Sequence, residues 1–404
     1  MAEALLSIEG VELRRGMGVV LSAFDLHLES GEIIMLHGAN GAGKSTVIET
    51  AARLLPLERG SVSHHGHLTF DAEGRRVNPR RPFGLTLQDN GMIGSETIHA
   101  HLSAVANLSG THLELEPLLE TYGLQHRMHD RIAHLSGGQA RKVAVLAGLI
   151  PAMVAALPTV VLLDEPDSGL DEEALAALML HVQSLAAAGH GFLIATHNPT
   201  LLSIGTHLHD LETKSPQDHL TTKAWVQAGE PRAPSWLMAR TGHRYTASTR
   251  SGIARNGLAA LMVLGCALAL GDPSVLPKGL WVTGGVLAPA FAAGLAGDPT
   301  TQLMREQRAG DWWRAHGQHT PSAMGLGLGV GALATMLSSY IFTGELELNL
   351  VVVGALIGEI TMVGVRLLNN STQRLARPNA VFIRLLLPAF ILPWALVVSW
   401  VAGW

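Results

Sequence analysis

The sequence predicts an α/β phosphate-loop NTPase domain with a helical subdomain, followed by an all-α transmembrane domain of about five helices. Three observations carry that expectation. A glycine-rich loop, Gly38 to Ser45, lies between an apolar run and a helix-forming stretch. A second apolar run, Val160–Leu163, ends on the paired acids Asp164 and Glu165. From Asn256 onward the chain carries several apolar stretches long enough to approach the span of a bilayer.

At 404 residues the chain exceeds one ordinary core, and two units are visible in it. Residues 1–213 mix charge with short apolar runs and form the expected nucleotide-binding domain. Residues 214–250 form a polar, basic linker with Pro216, Pro231 and Pro234, and residues 251–404 form the expected membrane domain. Averages of 15% charged and 48% hydrophobic residues conceal this switch. A formal net charge of -5 gives no reason to expect nucleic acid as a partner. The single cysteine, Cys266, excludes a disulfide framework and a cysteine-based metal site. Met1 to Gly10 lacks a basic segment followed by an apolar core, so no cleaved signal is expected and the first half is placed in the cytosol.

Taken in order, Ile33–Met35 and Leu36 run into the glycine-rich loop as a strand, and Thr46 to Leu55 continues as a helix. That is the context a phosphate loop requires. In Gly38-Ala39-Asn40-Gly41-Ala42-Gly43-Lys44-Ser45, glycines let backbone N–H groups curl round a β-phosphate at a helix N-terminus, and Thr46 completes the set. Lys44 is expected to bridge the β- and γ-phosphates, and Ser45 to place its hydroxyl on Mg²⁺. Between Leu85 and Leu135 the pattern is mostly helical, as in a subdomain inserted beside a sheet. Val160–Leu163 and Phe192–Ala195 read as central parallel strands with functional residues at their carboxyl ends. Asp164 suits indirect Mg²⁺ coordination and Glu165 suits polarising the attacking water; the alternative is a pair of solvated acids at a strand end. Leu135-Ser136-Gly137-Gly138-Gln139 begins a helix, Gln139 to Leu149, whose amino end and serine hydroxyl make a second anion site. His64, His65 and His67 read as a surface loop rather than a metal site.

With that pentapeptide the sequence resembles the ATP-binding-cassette (ABC) transporter superfamily, with the ATPase fused to its membrane domain. The resemblance implies ATP and Mg²⁺ as cofactors, and a pentapeptide (Ser136, Gly137, Gly138, Gln139) that contacts the γ-phosphate held by the opposite subunit. One such domain is present, so the partner is a second copy of the chain or a homologous half-transporter. Gln88, in Leu85-Thr86-Leu87-Gln88, resembles the glutamine that senses Mg²⁺ and the membrane domain. His197, after Ile194-Ala195-Thr196, resembles the γ-phosphate histidine, and Ser168-Gly169-Leu170-Asp171 the segment joining the two ATP sites, with Asp171 as its acid. The implied catalytic set is Glu165, His197 and Gln88, and the implied Mg²⁺ contacts are Ser45, Gln88 and Asp164. Read alone, each is a loop residue, and His197 a structural histidine. No aromatic stands in Leu13-Arg14-Arg15-Gly16, where many cassettes stack one on adenine.

In the second half, spans are expected at about 256–271, 279–297, 322–342, 348–368 and 380–401, giving a multi-pass protein of the cell (plasma or inner) membrane with its ATPase in the cytoplasm. Loops bearing Arg255, then Arg305, Arg308 and Arg314, then Arg374 and Arg377 fall on one side, as positive-inside topology requires. Trp236, Leu237 and Met238 in the linker form either an interfacial amphipathic segment or part of a solvated connection. Pro299 to Thr320, with Leu303, Met304, Trp312 and Trp313, is either the element that receives motion from the ATPase or an ordinary loop with interfacial tryptophans. Glu359, inside the fourth span, either lines a substrate path or is hydrogen-bonded within the bundle.

Arg15-Gly16 ahead of Phe24-Asp25-Leu26 and Gly31-Glu32, together with Gly279–Asp298, Gln302-Leu303-Met304 and Ala380–Pro388 with Pro393, resembles the haem exporter of cytochrome c maturation. That likeness implies export or release of haem, with cytochrome c maturation proteins as partners. The family's membrane subunit usually has six spans and is a separate protein. The competing expectations are an exporter of lipid, drug or polysaccharide, and a mechanotransmission complex that carries nothing across.

Overall fold

The structure is a computed structural model and describes residues 4–16, 18–210, 214–216, 223–231, 242–270, 282–297, 306–317, 325–371 and 400. The chain divides into two compact units, Met1–His243 with Met304–Thr320, and Arg244–Leu303 with Pro321–Trp404. A stretch flanked in sequence by second-unit residues therefore belongs to the first.

In the first unit, β1 (Leu6–Arg15) and β2 (Gly18–Leu28) pair antiparallel, and β3 (Ile33–His37) enters the phosphate loop ahead of helix α1 (Lys44–Ala51). Strands β4 (Arg59–His64) and β5 (His67–Asp71) form a hairpin that completes a sheet of order β2-β1-β4-β5. After β6 (Gly84–Thr86) come helix α2 (Ile98–Leu108), the short strand β7 (Thr111–His112) and helix α3 (Glu116–Thr121), the helical region expected between Leu85 and Leu135. Helix α4 (Gly137–Val154) leads to β8 (Val160–Asp164), α5 (Glu172–Ala187), β9 (Gly191–Ala195), α6 (Pro199–Leu202), β10 (His207–Asp210) and β11 (Lys214–Pro216). The second sheet has order β11-β10-β3-β9-β8-β6, parallel from β10 to β6. Its central strands β8 and β9 are buried along their full length, which is why they read as unbroken apolar runs. Parallel order brings Asp164, at the end of β8, beside the loop that follows β3.

Two sequence expectations change. Of the three histidines read as a surface loop, only His67, the first residue of β5, is exposed: His64, the last of β4, and His65 are buried, and His64 donates from Nε2 to the Ala51 carbonyl at 3.0 Å. Burial pushes the His64 imidazole down to about 3, so it is held neutral. Part of the polar linker is also structured. Trp225 donates to the Ser184 and Met153 carbonyls, and β12 (Glu230–Pro231) pairs with β7. Trp236, Leu237 and Met238 lie outside the described residues.

In the second unit, helix α7 (Gly242–Leu270) covers the first expected span, and a π-helical turn (Val282–Leu287) runs into α8 (Ala288–Leu295) within the second. Helix α9 (Ala309–Ala315) belongs to the first unit. Helices α10 (Leu326–Thr343) and α11 (Leu348–Ser371) fall on the third and fourth expected spans. The fifth, 380–401, lies outside the described residues except for Trp400, as do Gln302-Leu303-Met304 and Ala380–Pro388.

Small residues set the packing of α10 on α11. A Cβ added at Gly358 would meet the Gly327 carbonyl at 2.6 Å, and one at Gly331 the Gly354 carbonyl at 2.5 Å. Val286, Leu287, Phe291, Leu350 and Ile357 form an apolar cluster beside this seam. Asn256, fully buried on α7, donates to the Ala293 and Gly297 carbonyls at 2.7 and 3.2 Å. Glu359 accepts from the backbone N–H groups of Gly325 (3.4 Å) and Leu328 (3.2 Å), and so caps the N-terminus of α10. Glu359 is half-buried there and hydrogen-bonded to the neighbouring helix end.

Candidate functional site

The phosphate loop is shaped by left-handed glycines: Gly38, Gly41 and Gly43 have φ of 144°, 87° and 104°. Lys44 is buried and donates from Nζ to the Gly38 and Ala39 carbonyls at 2.8 and 3.0 Å. Its ammonium thus lies along the loop that would wrap a phosphate. Asn40 and Gly41 are exposed, Ala42 is half-buried, and Thr46 is buried at the start of α1.

Ser45 Oγ donates to Asp164 Oδ1 at 3.1 Å across the junction of α1 and β8. Burial pushes the Asp164 carboxyl up to about 6, against the pull of the Ser45 hydrogen bond. These hard oxygen donors fit a divalent cation. Next to them, Glu165 has φ of +46° and its N–H donates to the Ala195 carbonyl at 2.8 Å. A non-glycine residue in this region is uncommon, and the conformation turns Glu165 out of the strand line.

Ser136 caps α4 in a reciprocal box. Its hydroxyl accepts from the Gln139 N–H at 3.3 Å, and Gln139 Oε1 accepts from the Ser136 N–H at 3.0 Å. Ser136 and Gly137 are exposed, so this helix end is open to a partner. At Gly138 a Cβ would meet the Gly169 carbonyl at 2.5 Å, so the pentapeptide and Ser168–Asp171 approach too closely for a side chain. Asp171 caps α5 and pairs with Lys142 Nζ at 2.6 Å; these two contacts hold its carboxyl below the usual range. His197 is exposed just past β9, and Gln88 is exposed beyond β6.

The sequence reading missed Arg141. It is buried on α4, and its guanidinium reaches Leu87 O (2.7 Å), Gln88 O (3.3 Å), Asn90 Oδ1 (3.1 Å), Glu165 O (2.7 Å) and Asp164 O. One side chain therefore ties the glutamine loop to the acidic strand end. The available signal was an Arg-Lys pair opening an otherwise apolar helical run. Asp167 was missed too; its carboxylate accepts from Thr196 Oγ1 at 2.6 Å.

The segment 306–317 lies against this machinery. Trp312 and Trp313 are buried, and Trp312 Nε1 donates to the Leu85 carbonyl at 2.7 Å. The Gln307 carbonyl accepts from the Gly91 N–H at 2.8 Å, three residues beyond Gln88. His316 stacks on Phe83 with ring centroids 4.9 Å apart.

Fold and site together define a phosphate-loop ATPase of the cassette type. The ABC transporter family profile matches residues 21–168. A phosphonates import ATP-binding protein of Nostoc sp. is 33% identical over 213 residues, covering 48% of this chain and 76% of that protein. An aliphatic sulfonates import ATP-binding protein of Paraburkholderia xenovorans is 32% identical, covering 48% and 70%. A macrolide export ATP-binding/permease protein of Azoarcus sp. is 30% identical, covering 44% of this chain and 27% of that one. The chain belongs to the ABC transporter ATP-binding family: its first unit is an ATPase that hydrolyses ATP to drive transport.

Proposed function

We propose that the chain is one half of an ATP-driven exporter. In this reading a cytosolic ATPase is fused through residues 214–250 to a multi-pass bundle in the plasma (inner) membrane and works with a second copy of itself. The observation that carries the coupling is the seating of segment 306–317 on Leu85, Gly91 and the phosphate-loop helix, while the outward direction rests on the sequence resemblance. That segment is continuous in sequence with apolar helices on both sides, so a displacement at the glutamine loop has a mechanical route into them.

The membrane assignment is supported by burial that runs opposite to that of a water-soluble helix pair. On α11, Leu348, Val352, Leu356 and Ile360 recur every four residues at 76%, 60%, 50% and 66% exposure. Thr335, Ser338, Ser339 and Thr361 are buried. Lipid is the solvent that rewards this arrangement. Among the described residues, Leu326–Thr343 and Leu348–Leu368 have the length and composition to cross a bilayer. Gly344–Glu347 joins α10 to α11 directly, and a link that short favours transport over transmission to an external partner.

For the chemistry, Gly38–Thr46 holds the phosphates and Lys44 turns from the Gly38 and Ala39 carbonyls to the β- and γ-phosphates. Ser45, with Asp164 and Gln88, would hold Mg²⁺, which when bound would supply charge neutralisation on those phosphates. Glu165 positions and polarises the attacking water, and His197 contacts the γ-phosphate. Ser136, Gly137, Gly138 and Gln139 of one copy close on the nucleotide of the other, with Asp171 fixing the adjoining loop. Glu165→Gln is expected to abolish hydrolysis while ATP binding persists and the closed dimer accumulates, read by phosphate release and by cross-linking. Unchanged turnover would sink the role given to Glu165. Haem as cargo rests on the sequence resemblance, and the expected spans contain no histidine to ligate it. ATPase activity in reconstituted membranes with haem, lipids and drugs side by side decides the cargo.

A further inference from the structure

Gln307 and Arg308 both have left-handed backbone, with φ of 48° and 57°. Neither is a residue type that favours this region, so surrounding contacts must hold both in place. The pair of turns has two consequences. The Gln307 carbonyl meets the Gly91 N–H at 2.8 Å, and the Arg308 guanidinium is delivered to Glu49. Gly91 itself has φ of 73°, and a Cβ there would meet Trp312 at 2.8 Å, so the position accepts only glycine.

Glu49 is on α1, one helical turn beyond Ser45, and its side chain is 5% exposed. One carboxylate oxygen accepts from Arg15 Nη2 at 2.7 Å and the other from Arg308 Nη1. Arg308 also donates from Nε to Asp311 at 2.9 Å, which fixes its fork. A buried carboxylate that loses one of two cations is left under-compensated in a poorly hydrated site. The phosphate-loop helix therefore depends on a cation supplied by a segment some 260 residues further along the chain.

We propose that Arg308 is a positioning residue that ties segment 306–317 to the phosphate-loop helix through Glu49, so that seating of the segment and binding of nucleotide are thermodynamically linked. The inference rests on the reading of this segment as the transmission element, and adds the contact by which it senses the nucleotide. Linkage of this kind is reciprocal: nucleotide holds the segment down, and the seated segment favours nucleotide.

The test uses the full chain in lipid nanodiscs with a fluorescent ATP analogue and hydrogen exchange of residues 306–317. In the parent chain nucleotide is expected to slow exchange in the segment. Arg308→Gln is expected to abolish that protection and to weaken nucleotide binding roughly tenfold, within the usual range of allosteric couplings. Glu49→Gln in the same background removes the orphaned charge, so the double variant should bind about as well as Glu49→Gln alone. Arg308→Lys, which keeps the charge but loses the fork, should fall between parent and Arg308→Gln and keeps the test available if Arg308→Gln fails to fold. Additive losses in the double variant, or full protection in Arg308→Gln, would overturn the proposal while leaving the transmission reading intact. Segment exchange indifferent to nucleotide in the parent chain would remove both.

Discussion

Replacing Arg141 by methionine keeps most of the side-chain volume and deletes every donor the guanidinium supplies. Its five hydrogen bonds go to Leu87, Gln88, Asn90, Asp164 and Glu165, and the residue is only 3% exposed, so the buried acceptors left behind, the Leu87 and Asp164 carbonyls, have little water to turn to. Each stranded buried acceptor costs about 1–3 kcal/mol, while removing a buried charge returns part of that. Burial lowers the proton affinity of Arg141, a sign that its desolvation is substantial. The balance is a loss of about 3–5 kcal/mol, the range seen when one member of a buried charged network is removed. For a unit of this size that is a fall in melting temperature of roughly 6–20 °C. Catalysis should suffer more than binding, because Lys44 and the glycines are untouched while the Glu165 carbonyl loses the donor that helps hold its left-handed backbone. Differential scanning fluorimetry and steady-state ATPase on the full chain measure both. Arg141→Met melting within about 2 °C of the parent, or losing apparent ATP affinity with kcat intact, would refute the reasoning.

The two central glycines of the pentapeptide should respond differently. An alanine Cβ at Gly138 meets the Gly169 carbonyl at 2.5 Å, whereas at Gly137 nothing lies within 4 Å, so Gly138→Ala should lower the melting temperature by several degrees and Gly137→Ala should leave it unchanged. In the second unit, Gly358→Leu should split the α10–α11 seam at the Gly327 carbonyl, read as loss of monodisperse protein after extraction; normal yield and melting would contradict the close-packing account. Acidification should destabilise the first unit. Burial holds His181 and His190 down to about 4 and His64 to about 3, so the unfolded chain takes up protons below about 6.5 that the folded chain refuses. Their contribution is whole above that value and is lost as pH falls, at up to about 1.4 kcal/mol per pH unit for each histidine. Asp164, pushed up to about 6, works the opposite way between its ordinary value and 6, but it is one group against three. A melting temperature that stays flat or rises from pH 7 to pH 5 would contradict this sign, and His181→Phe should shallow the slope.

What the sequence disclosed and what it hid follow from the range of the interactions involved. The strands at Ile33, Val160 and Phe192 were legible because parallel strands covered on both faces must be apolar throughout, and the loop after the first needs glycine wherever φ is positive. Ser136 with Gln139 was legible because a capping box is a local pattern. Arg141 and Glu49 were not, since a buried charge looks in sequence like any polar residue on a helix until its partners are known. Their partners lie 51 to 54 residues away for Leu87, Gln88 and Asn90, and 259 away for Arg308, so only the folded chain brings them together. The same distinction accounts for Glu359. A carboxylate inside an apolar span advertises that it must be compensated, and the backbone N–H groups of a neighbouring helix end serve as well as a substrate path. Buried charges are thus the residues whose roles a local pattern leaves open: their presence carries a strong constraint, and the identity of what satisfies it is written elsewhere in the chain.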